Sequence, residues 1–426
     1  MVELNFKPGD LVRLRLSDKE IDVTILESPE KEIVLVKLDS GYNTGIKKEN
    51  ILAARKIPVK KEENIVEEVK YEDKKDLPKI GMIITGGTIA SKLDSKTGGV
   101  KPLSDVSDLR KYYPELFEKV NVKSFEMPFL IASESMDSSH WIQIAESAKK
   151  MLDDGEIEGV IVTHGTDTLG YTAAALSFFL QNLNKPVVLT YSQRSSDRAS
   201  SDARLNLLCA AEMALSNCAE VVLVGHATTN DDYCYALRGT KVRKMHSSMR
   251  DAFKPINTEP IAKVWSDKVE FVSEYKLKDS RNKPELDTSF TDKVGLVQYY
   301  PGQDSSILDY YALSYKGIVV EGTGFGHLPV SEAKNNWIPK LKKYIRNGLV
   351  VCVTTQTING SSNQYVYSNL RELAEAGVIF LEDMLPETAF VKLGYVLGHQ
   401  GWKTKAKEKM LSNISGEIGK IRHISL

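Results

Sequence analysis

Four short runs of this chain are apolar at every position, and nothing else in the sequence constrains the fold as tightly. They are Ile80 to Ile84, Gly159 to Val162, Val187 to Leu189 and Val221 to Val224. A strand with one wet face alternates apolar and polar side chains, so a strand without alternation must be covered on both faces. Between the runs lie amphipathic stretches of helical length, Thr172 to Leu183 and Asp202 to Ser216. Buried strands alternating with helices predict a parallel sheet sandwiched by helices, a three-layer α/β architecture. After a less regular stretch from Asp231 to Asp292 the rhythm resumes. Strand candidates follow at Val294 to Gln298, Gly317 to Val320, Leu349 to Val353 and Gly377 to Phe380, with helix candidates at Val330 to Arg346, Asn369 to Ala376 and Thr388 to Gly398. These predict a second, smaller α/β domain.

The first sixty residues read differently. Short alternating segments, Asp10 to Leu16, Ile21 to Ser28, Glu32 to Lys37 and Thr44 to Ile46, are separated by turn residues such as Lys7-Pro8-Gly9-Asp10 and Asp39-Ser40-Gly41. That is the pattern of a small antiparallel barrel, a common binding module. A charged stretch poor in aromatic residues runs from Lys60 to Lys79. The expected division is a small all-β barrel at 1–60, a charged linker at 61–79, a large α/β domain at 80–290 and a smaller C-terminal α/β domain at 291–426.

Charge and cysteine content narrow the function. Lys and Arg number 56 against 57 Asp and Glu, so no global basic field exists to hold nucleic acid by counterion release. Any RNA contact must be local or delegated to a partner. Cys209, Cys218, Cys234 and Cys352 show no CxxC spacing, which points to reduced thiols and a cytoplasmic protein. The start MVELNFKPGD has neither a signal core nor a transit pattern, and no run approaches the ~20 apolar residues of a membrane span. The seven histidines lack metal-ligand spacing, so no metal is expected.

In an open parallel sheet, ligands bind beyond the carboxyl ends of the strands. Two of the apolar runs end there in hydroxyl-rich turns, Thr85-Gly86-Gly87-Thr88-Ile89-Ala90 and Thr163-His164-Gly165-Thr166-Asp167-Thr168. Gly86, Gly87 and Gly165 let a ligand approach the backbone, and N–H groups there can stabilise an oxyanion, as acyl transfer requires. A threonine nucleophile also needs a base, commonly a histidine or a lysine kept neutral. His164 is a local candidate that could share a face with Thr166 while Asp167 turns away. A phosphate cradle or a plain chain reversal is the other reading of both turns. GxxxxGK[ST], GxSxG and HExxH are all absent, and Gly322-Thr323-Gly324-Phe325-Gly326 has His327 where a dinucleotide fingerprint needs its third glycine.

TGGTIAS at Thr85 to Ser91 and HGTDT at His164 to Thr168 resemble the two signature motifs of the type I/II asparaginases, and the similarity extends over roughly residues 78 to 400. The resemblance implies that family's two-domain fold, with Thr88 as nucleophile on a side-chain amide and Thr166 with Asp167 as the second catalytic element. It also implies a lysine within Gly239 to Lys244, and alignment to Asp251-Ala252-Phe253-Lys254 favours Lys244 over Lys241. Lys244 would take a threonine proton while Asp167 orients it and binds the substrate α-ammonium. Ser133 and Glu134 stand where the family places a substrate-binding serine followed usually by glutamine, and Gly87 and Gly165 join them as substrate-binding positions. The lid Asp94 to Val100 departs from the family in lacking a tyrosine, with Thr97 nearest.

The N-terminal module, the segments KPGD and Gly41 to Ile46, and Tyr191 to Asp197 in place of the asparaginases' Gly-Ala-Met-Arg-Pro resemble the D-subunit family of the archaeal glutamyl-tRNA(Gln) amidotransferases. That resemblance implies ammonia release from glutamine or asparagine. A separate E subunit would bind tRNA(Gln) and use ATP and Mg, and this chain would bind no cofactor itself. It further implies a heterodimer, or a heterotetramer around a homodimeric D core. A stand-alone L-asparaginase and a non-catalytic amino-acid-binding scaffold are the alternatives. Lys403, Lys405, Lys407 and Lys409 read as a solvated helical face or a local RNA contact.

Overall fold

The computed structural model describes residues 6–28, 30–38, 43–58, 76–93, 100–102, 105–195, 198 and 200–419. The charged stretch 61–75, the lid residues 94–99, and residues 41–42 and 196–197 of the two marker segments lie outside it.

The N-terminal module is an antiparallel sheet in the order β4-β3-β2-β1-β5. Its strands are β1 (Leu11–Arg15), β2 (Glu20–Ile25), β3 (Ile33–Leu38), β4 (Asn43–Lys47) and β5 (Ala53–Lys56). Alternation sends Val12, Leu14, Val23, Ile25, Val36 and Ile46 into a core of its own. The sequence reading missed β5 because Ala53-Ala54-Arg55-Lys56 carries almost no hydrophobic alternation. Main-chain pairing holds it, from Val12↔Lys56 to Arg15↔Ala53.

The large domain is built on an eight-stranded sheet in the order β18-β17-β14-β13-β12-β10-β6-β9. The four apolar runs become β6 (Lys79–Ile84), β10 (Ile157–Thr163), β12 (Val187–Thr190) and β13 (Val221–His226), joined by β9 (Asn121–Glu126) at one edge. These five are parallel. The parallel core is the one expected, and antiparallel strands extend it at its other edge. β14 (Cys234–Arg238) returns antiparallel to β13 after a short loop, and β17 (Ala262–Val264) and β18 (Val269–Phe271) continue antiparallel. Three-residue strands offer too few positions for a period to show, so 231–292 looked irregular.

Burial on both faces is visible residue by residue. Ile80, Met82 and Ile84 pack with α1 (Val106–Tyr112), α2 (Pro114–Lys119) and α5 (Ala203–Leu215). Ile83 points the other way, toward α3 (Ser138–Asp153) and α4 (Leu169–Phe179). Each such fully buried side chain contributes about 1.5–3 kcal/mol of hydrophobic free energy.

The second domain has a parallel sheet of β20 (Val294–Gln298), β21 (Gly317–Gly322), β22 (Val350–Thr355) and β23 (Ile379–Phe380). One face carries α6 (Ile307–Ser314), α7 (Ile338–Arg346) and α8 (Ser368–Glu375). α7 starts eight residues later than the apolar pattern suggested, because Pro339 disfavours helix before it and is accepted only in the first turn. The other face carries α9 (Pro386–Gly398), with α10 (Ala406–Leu411) beyond it. Leu393 and Val396 of α9 share one cluster with Ala173 and Leu176 of α4, so the two α/β domains have a common core. Short ribbons complete the fold: β7 (Ser91–Leu93) with β8 (Val100–Pro102), β11 (Leu180–Gln181) with β19 (Glu285–Leu286), and β15 (Val242–Lys244) with β16 (Phe253–Pro255). All four cysteines are buried and unbridged. No helix among the described residues is long and apolar enough to cross a membrane.

Candidate active site

β6 and β10 are parallel neighbours with Ile84 beside Thr163, so both hydroxyl-rich turns leave the same edge side by side. Thr85 Oγ1 donates to the Thr163 carbonyl at 2.9 Å and ties the turns at their origin. The first turn reverses through Gly86 and Gly87, at φ +121° and +80°, and Thr88 then opens a 3-10 turn. Only glycine reaches those angles without strain.

A third segment, 131–135, closes the arrangement. The Ser133 hydroxyl accepts from the Asp167 N–H at 3.1 Å, and the Thr168 hydroxyl donates to the Ser133 carbonyl at 2.7 Å. The three segments touch backbone to backbone. A Cβ on Gly87 would lie 2.7 Å from both the Gly165 nitrogen and the His164 oxygen, and one on Gly165 would lie 2.8 Å from Ser133 Oγ. Glu134 is exposed beside the buried Ser133.

Lys244 reaches this edge from the end of β15. Its Nζ donates to Thr166 Oγ1 and to Asp167 Oδ1, each at 2.8 Å. The lysine side chain is 15% exposed and the Asp167 side chain 62%, so the amine is covered while the carboxylate faces solvent. Lys241, three residues earlier, goes elsewhere: it is buried, with Nζ 2.7 Å from Asp383 Oδ2. Lys241 stands just before β15 and packs against the second domain, whereas Lys244 ends the strand at the turns, and that packing separates the two lysines.

His164 is not at the open edge. Its ring is buried, with Nδ1 2.7 Å from the Gly165 oxygen and Nε2 2.9 Å from Thr172 Oγ1. Burial pushes its pKa down to about 4. It is a neutral core residue beneath the turns, and the contact with Thr166 belongs to Lys244.

Thr88 lines a cleft of about 500 Å³ together with Gly86, Gly87, Leu130, Gln193 and Arg198. Sequence reading treated the segment holding Gln193 only as a marker of the branch and passed over Arg198. Both follow β12, a third strand end in the same row, and that position was the available signal. The loop is shaped from within by the buried Asp202, which accepts from Ser192 Oγ at 3.0 Å and from the Gln193 and Arg194 N–H groups at 2.9 Å. Gln193 Nε2 is itself buried with no hydrogen-bond partner among the described residues. No group of three His, Cys, Asp or Glu among the described residues is placed to hold a metal.

Three family profiles match the chain. "Asparaginase, N-terminal" covers residues 79–277, "Glutaminase/Asparaginase C-terminal domain" covers 293–411 and "GatD N-terminal domain" covers 6–57. The D subunit of the glutamyl-tRNA(Gln) amidotransferase of Pyrococcus furiosus is 48% identical over 420 residues, 96% of this chain and 94% of that protein. Its counterpart from Methanococcus maripaludis is 42% identical over 96% of this chain and 97% of its own length. Among solved structures, the thermostable L-asparaginase from Thermococcus kodakarensis superposes with a TM-score of 0.73 at 30% identity, over 80% of this chain and 100% of its own. L-asparaginase I from Vibrio cholerae gives a TM-score of 0.69 at 27% identity, over 81% of this chain and 100% of its own.

Proposed function

The chain belongs to the asparaginase and glutaminase family, within the branch of glutamyl-tRNA(Gln) amidotransferase D subunits, and from that membership we propose that it is the subunit that frees ammonia from glutamine. The observation that carries the reading is the Lys244 amine held at 2.8 Å from both the Thr166 hydroxyl and the Asp167 carboxylate, on a turn whose backbone abuts Gly87, the neighbour of Thr88. Thr88 supplies the attacking oxygen. As its bond to the amide carbon forms, its proton is taken up by the Thr166–Lys244 pair and is returned to the leaving nitrogen as the C–N bond breaks. Backbone N–H groups of the glycine turns offset the charge on the tetrahedral oxygen. Water then attacks the acyl-threonine, its proton passes to the same pair, and the threonine leaves with a proton restored. Asp167 holds the lysine and offers a carboxylate to the substrate α-ammonium, with Ser133 and Glu134 alongside.

In this reading the chain binds no cofactor. An E-type subunit holds tRNA(Gln), uses ATP and Mg to activate the glutamate, and receives the ammonia. The chain pairs with a second copy through its α/β domains and works in the cytoplasm, where its four thiols stay reduced.

The test is ammonia release from glutamine and from asparagine by the purified chain, alone and then with the E subunit and glutamyl-tRNA(Gln). Weak release alone that rises with both additions is expected. Fast asparagine hydrolysis indifferent to the additions would replace this reading with a stand-alone asparaginase, and amino-acid binding without turnover would make the chain a scaffold.

A further inference from the structure

The ribbon that carries Lys244 is rooted in the second domain, most of all at Asp383. Lys241 immediately precedes β15, and its Nζ donates to Asp383 Oδ2 at 2.7 Å and to the Asp383 carbonyl at 3.0 Å. Asn257 follows β16, and its Nδ2 donates to the same carbonyl at 3.3 Å and to the Gly360 carbonyl at 3.0 Å. Asn257 Oδ1 accepts the Gly360 N–H at 2.8 Å. The root is closed across the ribbon by the Ile256 N–H donating to the Lys241 carbonyl at 2.8 Å. Asp383 Oδ1 in turn accepts the Gly419 N–H at 2.9 Å, so the C-terminal segment meets the same carboxylate. One step along β15, Arg243 Nε lies 3.0 Å from Glu387 Oε1 at the start of α9. Both strands of the ribbon are therefore pinned to the segment that runs from Asp383 into α9.

The Lys241–Asp383 pair is almost wholly out of water, with side chains 1% and 4% exposed. Two charges taken out of water gain little stability over apolar residues of similar volume, because the desolvation cost offsets their attraction. What such a pair does supply is direction, since its hydrogen bonds fix where the backbone on each side must lie. Only two residues separate Lys241 from Lys244, so an error at the root is carried to the amine. Such an error matters, because a misplacement of about 1 Å at a reacting group can cost about 10²-fold in rate.

We propose that Asp383 is a positioning residue for amide hydrolysis: through Lys241 and Asn257 it sets the root of the β15–β16 ribbon and thereby the placement of Lys244 against Thr166 and Asp167. The inference rests on the acyl-threonine reading above. It assigns the second domain a part in the chemistry of the first, exerted through the ribbon.

The test compares full-length variants, assayed for ammonia release with the E-type partner and charged tRNA present. Lys241→Met with Asp383→Leu replaces the pair by apolar side chains. The expected result is a thermal midpoint equal to or above wild type, with kcat lowered by about tenfold or more and KM within about twofold. Asn257→Gly is the milder arm. Its residue sits at φ +58°, which glycine adopts without strain, so only the side-chain anchors are lost. A fall in kcat of about threefold or more at unchanged KM is expected there. If the double variant does not fold, Asn257→Gly alone decides. Folded variants with kcat within about twofold of wild type would overturn the inference, as would losses that merely follow the thermal midpoint. A wild-type chain that releases no ammonia under any condition, or a Thr166→Val chain that releases it normally, would instead overturn the functional reading, and this inference with it.

Discussion

A threonine hydroxyl holds its proton tightly at neutral pH, so the Thr166–Lys244 contact at 2.8 Å decides what the site can do. Thr166→Val keeps the shape of the side chain and removes the hydroxyl. Ammonia release should fall by at least ~10³-fold while circular dichroism and the thermal midpoint stay close to wild type. The residues of the two motifs are legible in the sequence alone because each motif is contiguous and sits on a strand end. The choice between Lys244 and Lys241 is not visible in their spacing, since both are lysines near one ribbon and only packing separates a buried partner of Asp383 from a neighbour of Thr166. Gln193 and Arg198 are less legible still, because a loop held by a buried carboxylate leaves no periodic signal. His164 has a different consequence. Burial lowers its pKa from the ordinary 6.5 to about 4, so as pH falls the unfolded chain takes up this proton before the folded chain does. Stability is therefore unaffected by this group above pH 6.5 and is lost between 6.5 and about 4, by roughly 3 kcal/mol in all. Urea midpoints of wild type and His164→Gln at pH 7 and pH 4.5 should show a smaller acid loss in the variant.

At the scale of elements, strands buried on both faces announce themselves because every position must be apolar, and β6, β10, β12 and β13 fall where the runs are. Edge strands do not: β9, Asn-Val-Lys-Ser-Phe-Glu, is paired on one side only among the described residues and tolerates polar residues. α3 was also passed over, although its start carries a local signal. Asp137 caps it by accepting from the Ser139 N–H at 3.0 Å, while His140 Nδ1 accepts the Asp137 N–H at 3.1 Å. Asp137→Ala should lower stability by about 1 kcal/mol, read as an earlier denaturant midpoint. Gly87→Ala acts on another element, the first turn. Its methyl would need room 2.7 Å from the neighbouring backbone at a positive φ, so the two turns must part. A loss of roughly 2 kcal/mol or more, with activity lost along with it, is expected in denaturation and ammonia assays.

The whole molecule holds more than one core but not one per sheet. The N-terminal sheet packs Val12, Leu14, Val23 and Val36 among themselves, whereas α4 and α9 knit both α/β sheets into a continuous cluster. Calorimetry should resolve a small transition for residues 6–57 and one larger transition in which both α/β domains melt together. Leu393→Ala, at a fully buried position of α9, should lower the larger transition by about 2–5 kcal/mol and leave the smaller one in place. The site at the edge of that joint core has its supports and its reagents in different residues. Glycines and Ser133 carry the backbone crossings, and Thr166 and Asp167 stand above them, the latter 62% exposed. A chain silenced at Thr166 is thus a plate on which an uncleaved amide can be laid and photographed, soaked as intact glutamine into crystals that the wild type would empty by turnover.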